Sequence, residues 1–302
     1  MNNLSLEYRE DITNKIIESL EKGKAPWQKP WIDTIPVNAV TGNYYQGINS
    51  IILSVEGEKL SDDGDSRWAT KKQAESQGWT IRKGAKATTI RVLILRDKKV
   101  MLPDTYAKSV SLGMKKPPIR KTFEVYHASQ IRGIPPFVKV MNKPIVSNEV
   151  LDKIIFYSSA RIFEGGNEAY YSPRDDLIRM PYRSTFLDSE SYYSTLLHEL
   201  THWTGHSSRL NRFFSWSLKA NSEAYAREEL VAEIASMFLT VETGIRSTQE
   251  HFNNHIGYIA SWISLLKSDP NAIFKVVQDA RKATDFIMSF RDEATNEVKV
   301  AS

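Results

Sequence analysis

Cysteine is absent from this 302-residue chain. That excludes disulfides and thiolate metal sites, so any metal must be held by histidine and carboxylate, and it favours a reducing compartment. No run of about 18 apolar residues is present, which argues against a membrane span. Met1-Asn2-Asn3-Leu4 opens no basic, apolar leader, which argues against secretion. A cytoplasmic protein with no membrane partner is the expectation. The 41% hydrophobic content is enough for buried cores.

The net charge of +4 conceals an asymmetry. Residues 1–145 hold 24 Lys and Arg against 15 Asp and Glu, a net of +9, whereas residues 146–302 hold 16 against 21, a net of −5. A basic half suits a polyanion, and an acidic half has another task. Ile134-Pro135-Pro136 and the cap-like Ser147-Asn148-Glu149 bracket the boundary. The predicted domains are therefore 1–140 and 147–302.

Residues 198–202 read His-Glu-Leu-Thr-His. Helical positions i and i+4 lie one above the other, so His198 and His202 can offer two imidazole nitrogens to one ion. Glu199 is placed to take a proton from a water that the metal has acidified, the chemistry of a zinc peptidase. Leu196, Leu197 and Leu200 give the helix a face to bury, and Gly205 offers a stop. A catalytic zinc needs a third protein ligand. A further histidine three residues after Gly205 would supply it in one zincin pattern, but that position is Ser208. His206 lies too far along the axis and reads as a surface or supporting residue.

A second helix, expected from Glu223 to beyond Ser236 with Leu230, Ile234 and Phe238 on its apolar face, carries Glu229 and Glu233 on one side. This arrangement resembles the gluzincins, in which a glutamate in an ExxxD motif binds zinc and the aspartate orients a ligand histidine. The resemblance implies Glu229 as third ligand and Glu233, standing where those enzymes have aspartate, as the carboxylate supporting a histidine. Glu228 is the alternative ligand. Zn²⁺ is the expected ion, with Mn²⁺ or another divalent metal as substitutes. Near the C terminus, residues 249–290 read as helical; His251 and His255 have metal spacing without a placed carboxylate, and Tyr258 or His255 could face an oxyanion.

The basic half interleaves aromatic and cationic residues four times. Trp27, Lys29 and Trp31 form one group, Tyr44, Tyr45 and Asn49 a second, Arg67, Trp68, Lys71, Lys72 and Gln73 a third, and Arg82, Lys83 and Lys86, after Trp79, a fourth. Cations that track phosphates beside rings that stack on bases are what single-stranded DNA requires. The competing reading for each tryptophan is a core position. Residues 5–23 read as an amphipathic helix, and 87–95 and 121–127 as strands around a Lys-, Pro- and Gly-rich insertion at 96–120. The domain is thus a small α+β module.

The chain as a whole resembles the ArdC antirestriction proteins of conjugative plasmids and the related N-terminal part of TraC-type primases. The likeness rests on Pro36 to Asn49, Thr70-Lys71-Lys72-Gln73-Ala74, Arg82 to Lys86, Ala169-Tyr170-Tyr171-Ser172-Pro173, His198 to His202, Gly205-His206 and Glu228 to Glu233. Ala85 departs from it, since that turn often carries Glu. The resemblance implies an α+β chain: an N-terminal domain that binds single-stranded DNA without sequence preference, joined to a zincin-like metallopeptidase domain. It implies protection of incoming plasmid DNA from restriction; a restriction enzyme or other DNA-bound protein is the target if the domain acts as a DNA-tethered protease. A zincin also implies that Glu168 to Pro173 and Asp176 to Pro181 form a hairpin around Arg174-Asp175 whose edge holds an extended peptide. Two rival readings stay open: a DNA-coating protein with a structural metal, and a protease switched on by DNA.

Overall fold

The computed structural model describes residues 4–25, 27, 35–61, 64–95, 100–103, 119–137, 148–186, 188–212, 223–245 and 258–300. Contacts divide the chain into two compact units, Met1–Ser19 with Asp33–Met141 and Leu20–Ile32 with Asn142–Ser302. Each combines helix and sheet, as the sequence leads one to expect. No described helix is long and apolar enough to cross a membrane.

The first unit begins in α1 (Leu4–Glu21), whose Ile12, Ile16 and Ile17 repeat at helical spacing and are buried. Five strands follow in the spatial order β1-β2-β6-β4-β5: β1 (Val37–Asn38), β2 (Arg67–Thr70), β4 (Thr88–Leu95), β5 (Val100–Pro103) and β6 (Ile119–His127). Among the described pairs of this sheet, β1 and β2 run parallel and the others antiparallel. The expected insertion therefore contributes one strand, β5, and its residues 96–99 and 104–118 lie outside the described residues. Helix α2 (Ile48–Leu60) buries Leu53 against Trp68, Ile90 and Val125. A second cluster holds Ala69, Ala74 and Ile131, with Trp79 and Ile81 packed against it. It joins α3 (Lys71–Ser76) to the short pair β3 (Thr80–Ile81) and β7 (Ile131–Arg132).

In the second unit, α4 (Asn148–Ser158) precedes a three-stranded sheet of order β8-β10-β9, made of β8 (Ile162–Glu164), β9 (Tyr170–Ser172) and β10 (Leu177–Met180). Strands β9 and β10 are the hairpin expected around Arg174-Asp175. One face of this sheet, carried by Tyr171, Ile178 and Met180, joins a single core with Leu196, Leu197 and Leu200 of α5 (Ser189–Thr204). Asp188 caps that helix, its Oδ1 accepting from the Ser191 N–H at 2.7 Å. Helix α6 (Glu223–Thr243) is buried at every residue from Glu228 to Ala235, so it is a central helix with no solvent face there. Helices α7 (Ile259–Ser268) and α8 (Ala272–Val300) match the helical expectation for the C terminus, whereas His251 and His255 fall outside the described residues.

Segment 20–32 belongs to this second unit although it lies early in the sequence. Trp27 is 3% exposed, and its ring meets Trp262 edge-on at 5.7 Å.

Candidate metal centre

Helices α5 and α6 pack together and bring their acidic and imidazole groups into one buried cage. Among the described residues, His198, His202 and Glu229 form the group able to hold a metal, each offering a ligand atom within 4.8 Å of the others. The two Nε2 atoms lie 3.2 Å apart. His198 Nε2 is 3.7 Å from Glu229 Oε2, and His202 Nε2 is 3.7 Å from Glu229 Oε1. Three donors at such separations fit around one ion with bonds of about 2 Å, the length expected for His and carboxylate ligands. Four buried glutamates, Glu199, Glu228, Glu229 and Glu233, crowd this space. A divalent cation offsets that charge at a site where little solvent reaches the carboxylates.

The far side of each histidine faces a carboxylate. His202 Nδ1 is 3.3 Å from Glu228 Oε1, and His198 Nδ1 is 3.8 Å from Glu233 Oε1. Glu228 is itself held by Arg212, which donates from Nη2 to Oε1 at 2.7 Å and from Nε to Oε2 at 3.0 Å. Arg212 also reaches the Thr201 carbonyl at 2.7 Å and Thr204 Oγ1 at 2.8 Å, so it ties the end of α5 to α6. Burial works to raise the Glu228 carboxyl, but Arg212 and His202 outweigh it and keep it below the usual carboxylate range. For His202, burial opposes charge, yet Glu229, Glu228 and Glu199 together push the imidazole up to about 9. The cage therefore favours positive charge. The alternative ligand of the sequence reading, Glu228, thus buttresses His202, while Glu229 faces both Nε2 atoms.

Glu199 is 8% exposed. Burial lifts its carboxyl to about 7, His202 opposes the rise, Glu229 adds to it, and a backbone hydrogen bond from Tyr171 lowers it. Such a carboxylate exchanges protons near neutral pH, as a general base should. The bond from Tyr171 also places β9, an edge strand, beside the cage. Tyr225, one turn before Glu229, hydrogen-bonds it, and its hydroxyl lies 3.1 Å from that of Tyr258. Tyr258, suggested for an oxyanion, thus sits in a tyrosine pair beside Glu229. His206 lies at the edge, its Nδ1 2.8 Å from Ser208 Oγ and 3.9 Å from Asp176.

Outside the cage, Asp176 clamps the hairpin to the end of α5. Its carboxylate accepts from Tyr171 Oη at 2.8 Å and from both Nη atoms of Arg209, one at 3.0 Å. The Arg209 guanidinium lies over the Trp203 ring at 3.9 Å. No sequence signal marks Arg209 or Arg212, because both act through the turn that follows α5. Glu228 could have been read as support for a histidine, since it precedes Glu229 directly.

The residues expected to bind nucleic acid divide four ways. Trp68 has no exposed surface and packs edge-on to His127 at 5.0 Å, so it stabilises the sheet and is not offered to a base. Trp27 is likewise enclosed, and it belongs to the second unit. Asn49 is 3% exposed and spends its side chain on the Arg91 backbone, donating at 2.7 Å and accepting at 3.2 Å. These three are corrections: an aromatic or amide beside cations is read alike from sequence whether displayed or buried. Arg67 pairs with Asp65 at 2.7 Å. Gln73 completes the capping box of α3 with Thr70, and Tyr45 Oη accepts from Asn38 at 3.1 Å. Tyr44 and Tyr45 are half-buried, whereas Lys71, Lys72, Arg82, Lys83 and Lys86 are exposed. Lys29 and Trp31 lie outside the described residues.

Residues 149–279 match the family described as zincin-like metallopeptidase, and residues 6–126 match the N-terminal domain of the anti-restriction factor ArdC. The crystal structure of the antirestriction protein ArdC from plasmid R388, in its Mn(II)-bound form, is 34% identical, with a TM-score of 0.70. That match covers 94% of this chain and 97% of that one. A DNA primase TraC of Escherichia coli is 37% identical over 306 residues, covering 96% of this chain but 28% of the primase. This chain thus spans under a third of that relative. The uncharacterised protein y4eC of Sinorhizobium fredii (strain NBRC 101917 / NGR234) is 28% identical and is covered over 95% of its length.

Proposed function

The chain belongs to the ArdC antirestriction family, and from that premise we propose that it is a metal-dependent peptidase carried on a domain that binds single-stranded DNA without sequence preference. The observation that carries the peptidase half is the triangle of His198, His202 and Glu229 with the buried Glu199 beside it. The ion is zinc or manganese. When bound, it acidifies a water and polarises the scissile carbonyl. Glu199 takes the proton from the attacking water and returns it to the departing amine. The free edge of β9 holds the substrate backbone in extended form, and the Tyr171 hydrogen bond keeps Glu199 in register with it. Glu228 and Glu233 fix the orientation of the two imidazoles.

The DNA half rests on the +9 charge of residues 1–145 and on the exposed cations Lys71, Lys72, Arg82, Lys83 and Lys86. Phosphate neutralisation by such side chains is independent of sequence and weakens steeply with salt. The work of the protein is then to protect entering plasmid DNA, with a restriction enzyme or another DNA-bound protein as its peptidase target.

Two variants test the assignment. Glu199→Gln should keep its metal by elemental analysis while cleavage of a substrate cut by the wild type falls by about 10²–10⁴-fold. Glu229→Ala should lose both metal and cleavage. Unchanged cleavage in Glu199→Gln would sink the proposed chemistry, and full metal content in Glu229→Ala would remove it from the ligand set. Alongside these, affinity for a single-stranded oligonucleotide measured at two salt concentrations should fall as salt rises. An affinity indifferent to salt would reject the cationic surface.

A further inference from the structure

The outer face of the sheet in the second unit carries groups that the peptidase reading leaves unused. Alternation along the strands turns Tyr171, Ile178 and Met180 inward, and so turns Phe163, Tyr170 and Arg179 outward. The register makes these three direct neighbours, since Arg179 pairs with Phe163 on one side and with Tyr170 on the other. Phe163 is 43% exposed and Tyr170 47%. A lone exposed aromatic requires no explanation, but two that flank an arginine in one cross-strand row form a flat surface. The Arg179 guanidinium lies 5.1 Å from the centre of the Phe163 ring, and that of Arg161 lies 5.8 Å from it. Neither arginine has a carboxylate partner among the described residues; Arg161 donates to the Asp175 carbonyl at 3.2 Å.

Beside this row opens a hollow of about 570 Å³, lined by Gly165, Gly166, Asn167, Glu168, Tyr170 and Arg179. That volume is within the roughly 300–1,000 Å³ usual for small-ligand sites. Gly165 (φ 143°) and Gly166 (φ 78°) hold conformations that side-chain-bearing residues rarely adopt, and the space over Gly166 is open for 4 Å. A ligand can therefore approach the backbone closely there.

We propose that this face is a second contact for single-stranded DNA, in which an unpaired base stacks on the Tyr170 and Arg179 surface and enters the hollow. Arg179 and Arg161 meet the phosphates on either side. Asn167 and Glu168 offer hydrogen bonds to the base edge. Cations without carboxylate partners, held against rings, suit an occupant that carries both negative charge and flat faces, and a single strand has both. A duplex presents no free base face, and a neutral peptide gains nothing from the two charges. The proposal rests on the reading of the chain as a binder of single strands. It adds that the peptidase unit itself takes hold of the strand, which would bring β9 and the metal cage near proteins bound to that strand.

The test uses the full chain and a fluorescein-labelled dT20, with affinity read by anisotropy. Tyr170→Ala and Arg179→Ala should each weaken binding by roughly five-fold or more, the worth of one stacked base, while Tyr170→Phe should bind like the wild type. On an abasic strand of the same length, Tyr170→Ala and the wild type should be indistinguishable. A 5-iodouracil strand should photocrosslink to a peptide containing Phe163 or Tyr170. Failure of the wild type to bind dT20 would end both this inference and the reading it rests on. Wild-type binding with unchanged affinity in Tyr170→Ala and Arg179→Ala would overturn the inference alone. So would an effect of the two substitutions confined to the binding of an extended peptide.

Discussion

Each histidine of the cage meets the ion position with one nitrogen and a carboxylate with the other. The two supports are unequal. Glu228 is bound by a buried arginine, so its removal leaves Arg212 without its partner, a loss of about 3–5 kcal/mol in stability. Glu233 lies farther from its histidine, 3.8 Å from His198 Nδ1 against 3.3 Å between Glu228 and His202 Nδ1. Glu233→Gln should weaken metal affinity by about 10–100-fold in a chelator competition. Equal affinity in the two proteins would deny Glu233 that role. At this scale the sequence is most legible where chemistry needs helical spacing: His198, Glu199 and His202 are read from five letters, and Glu229 follows from a second helix. Trp68, Trp27 and Asn49 are misread because the face a residue turns to solvent is fixed by partners distant in the sequence. Arg212 is invisible for the same reason, reaching Glu228 from 16 positions away.

Among the elements, the β9–β10 hairpin and α5 depend on one another through Asp176. Burial works to raise that carboxyl, but the hydrogen bonds from Arg209 and Tyr171, with the charge of Arg209, hold it below its usual value. A carboxyl whose folded pKa is depressed contributes stability that is complete well above its unfolded value of about 3.9 and is lost as pH falls through the folded one. The urea midpoint of the second unit, followed by tryptophan fluorescence, should therefore drop between pH 5 and pH 3 in the wild type and drop less in Asp176→Asn. Parallel curves would show that the clamp contributes nothing. The hairpin, the long helices and strands β4 and β6 are legible in the sequence because their periodicity extends over enough residues. Strands β1, β3 and β7 are two residues each, too short for any period. The order β1-β2-β6-β4-β5 is set by pairing across long stretches of chain, which local patterns do not encode.

For the whole molecule, the charge asymmetry suggests one division near residue 140, and it does not show that segment 20–32 groups with the second unit. Nothing in its composition sets it apart; Trp27 meets Trp262 and Glu21 pairs with Lys267 in that unit. Trp27→Ala should lower the stability of the second unit by about 3–5 kcal/mol and leave the first unchanged. Hydrogen exchange resolved by peptide would check this, with faster exchange in α6 and α7 and none in the β4–β6 pair. A uniform effect would show that the two unfold as one.

That crossing also bears on inheritance. The chain passes between its two compact units at residues 19–20, 32–33 and 141–142. No single cut separates them cleanly, so a recombination event near residue 140 would leave one partner without its tryptophan and burden the other with an orphaned strap. Exchange of one half for another is thereby disfavoured, and the pair is expected to travel intact. Its recurrence over 96% of this chain inside a primase more than three times as long is what such linkage predicts.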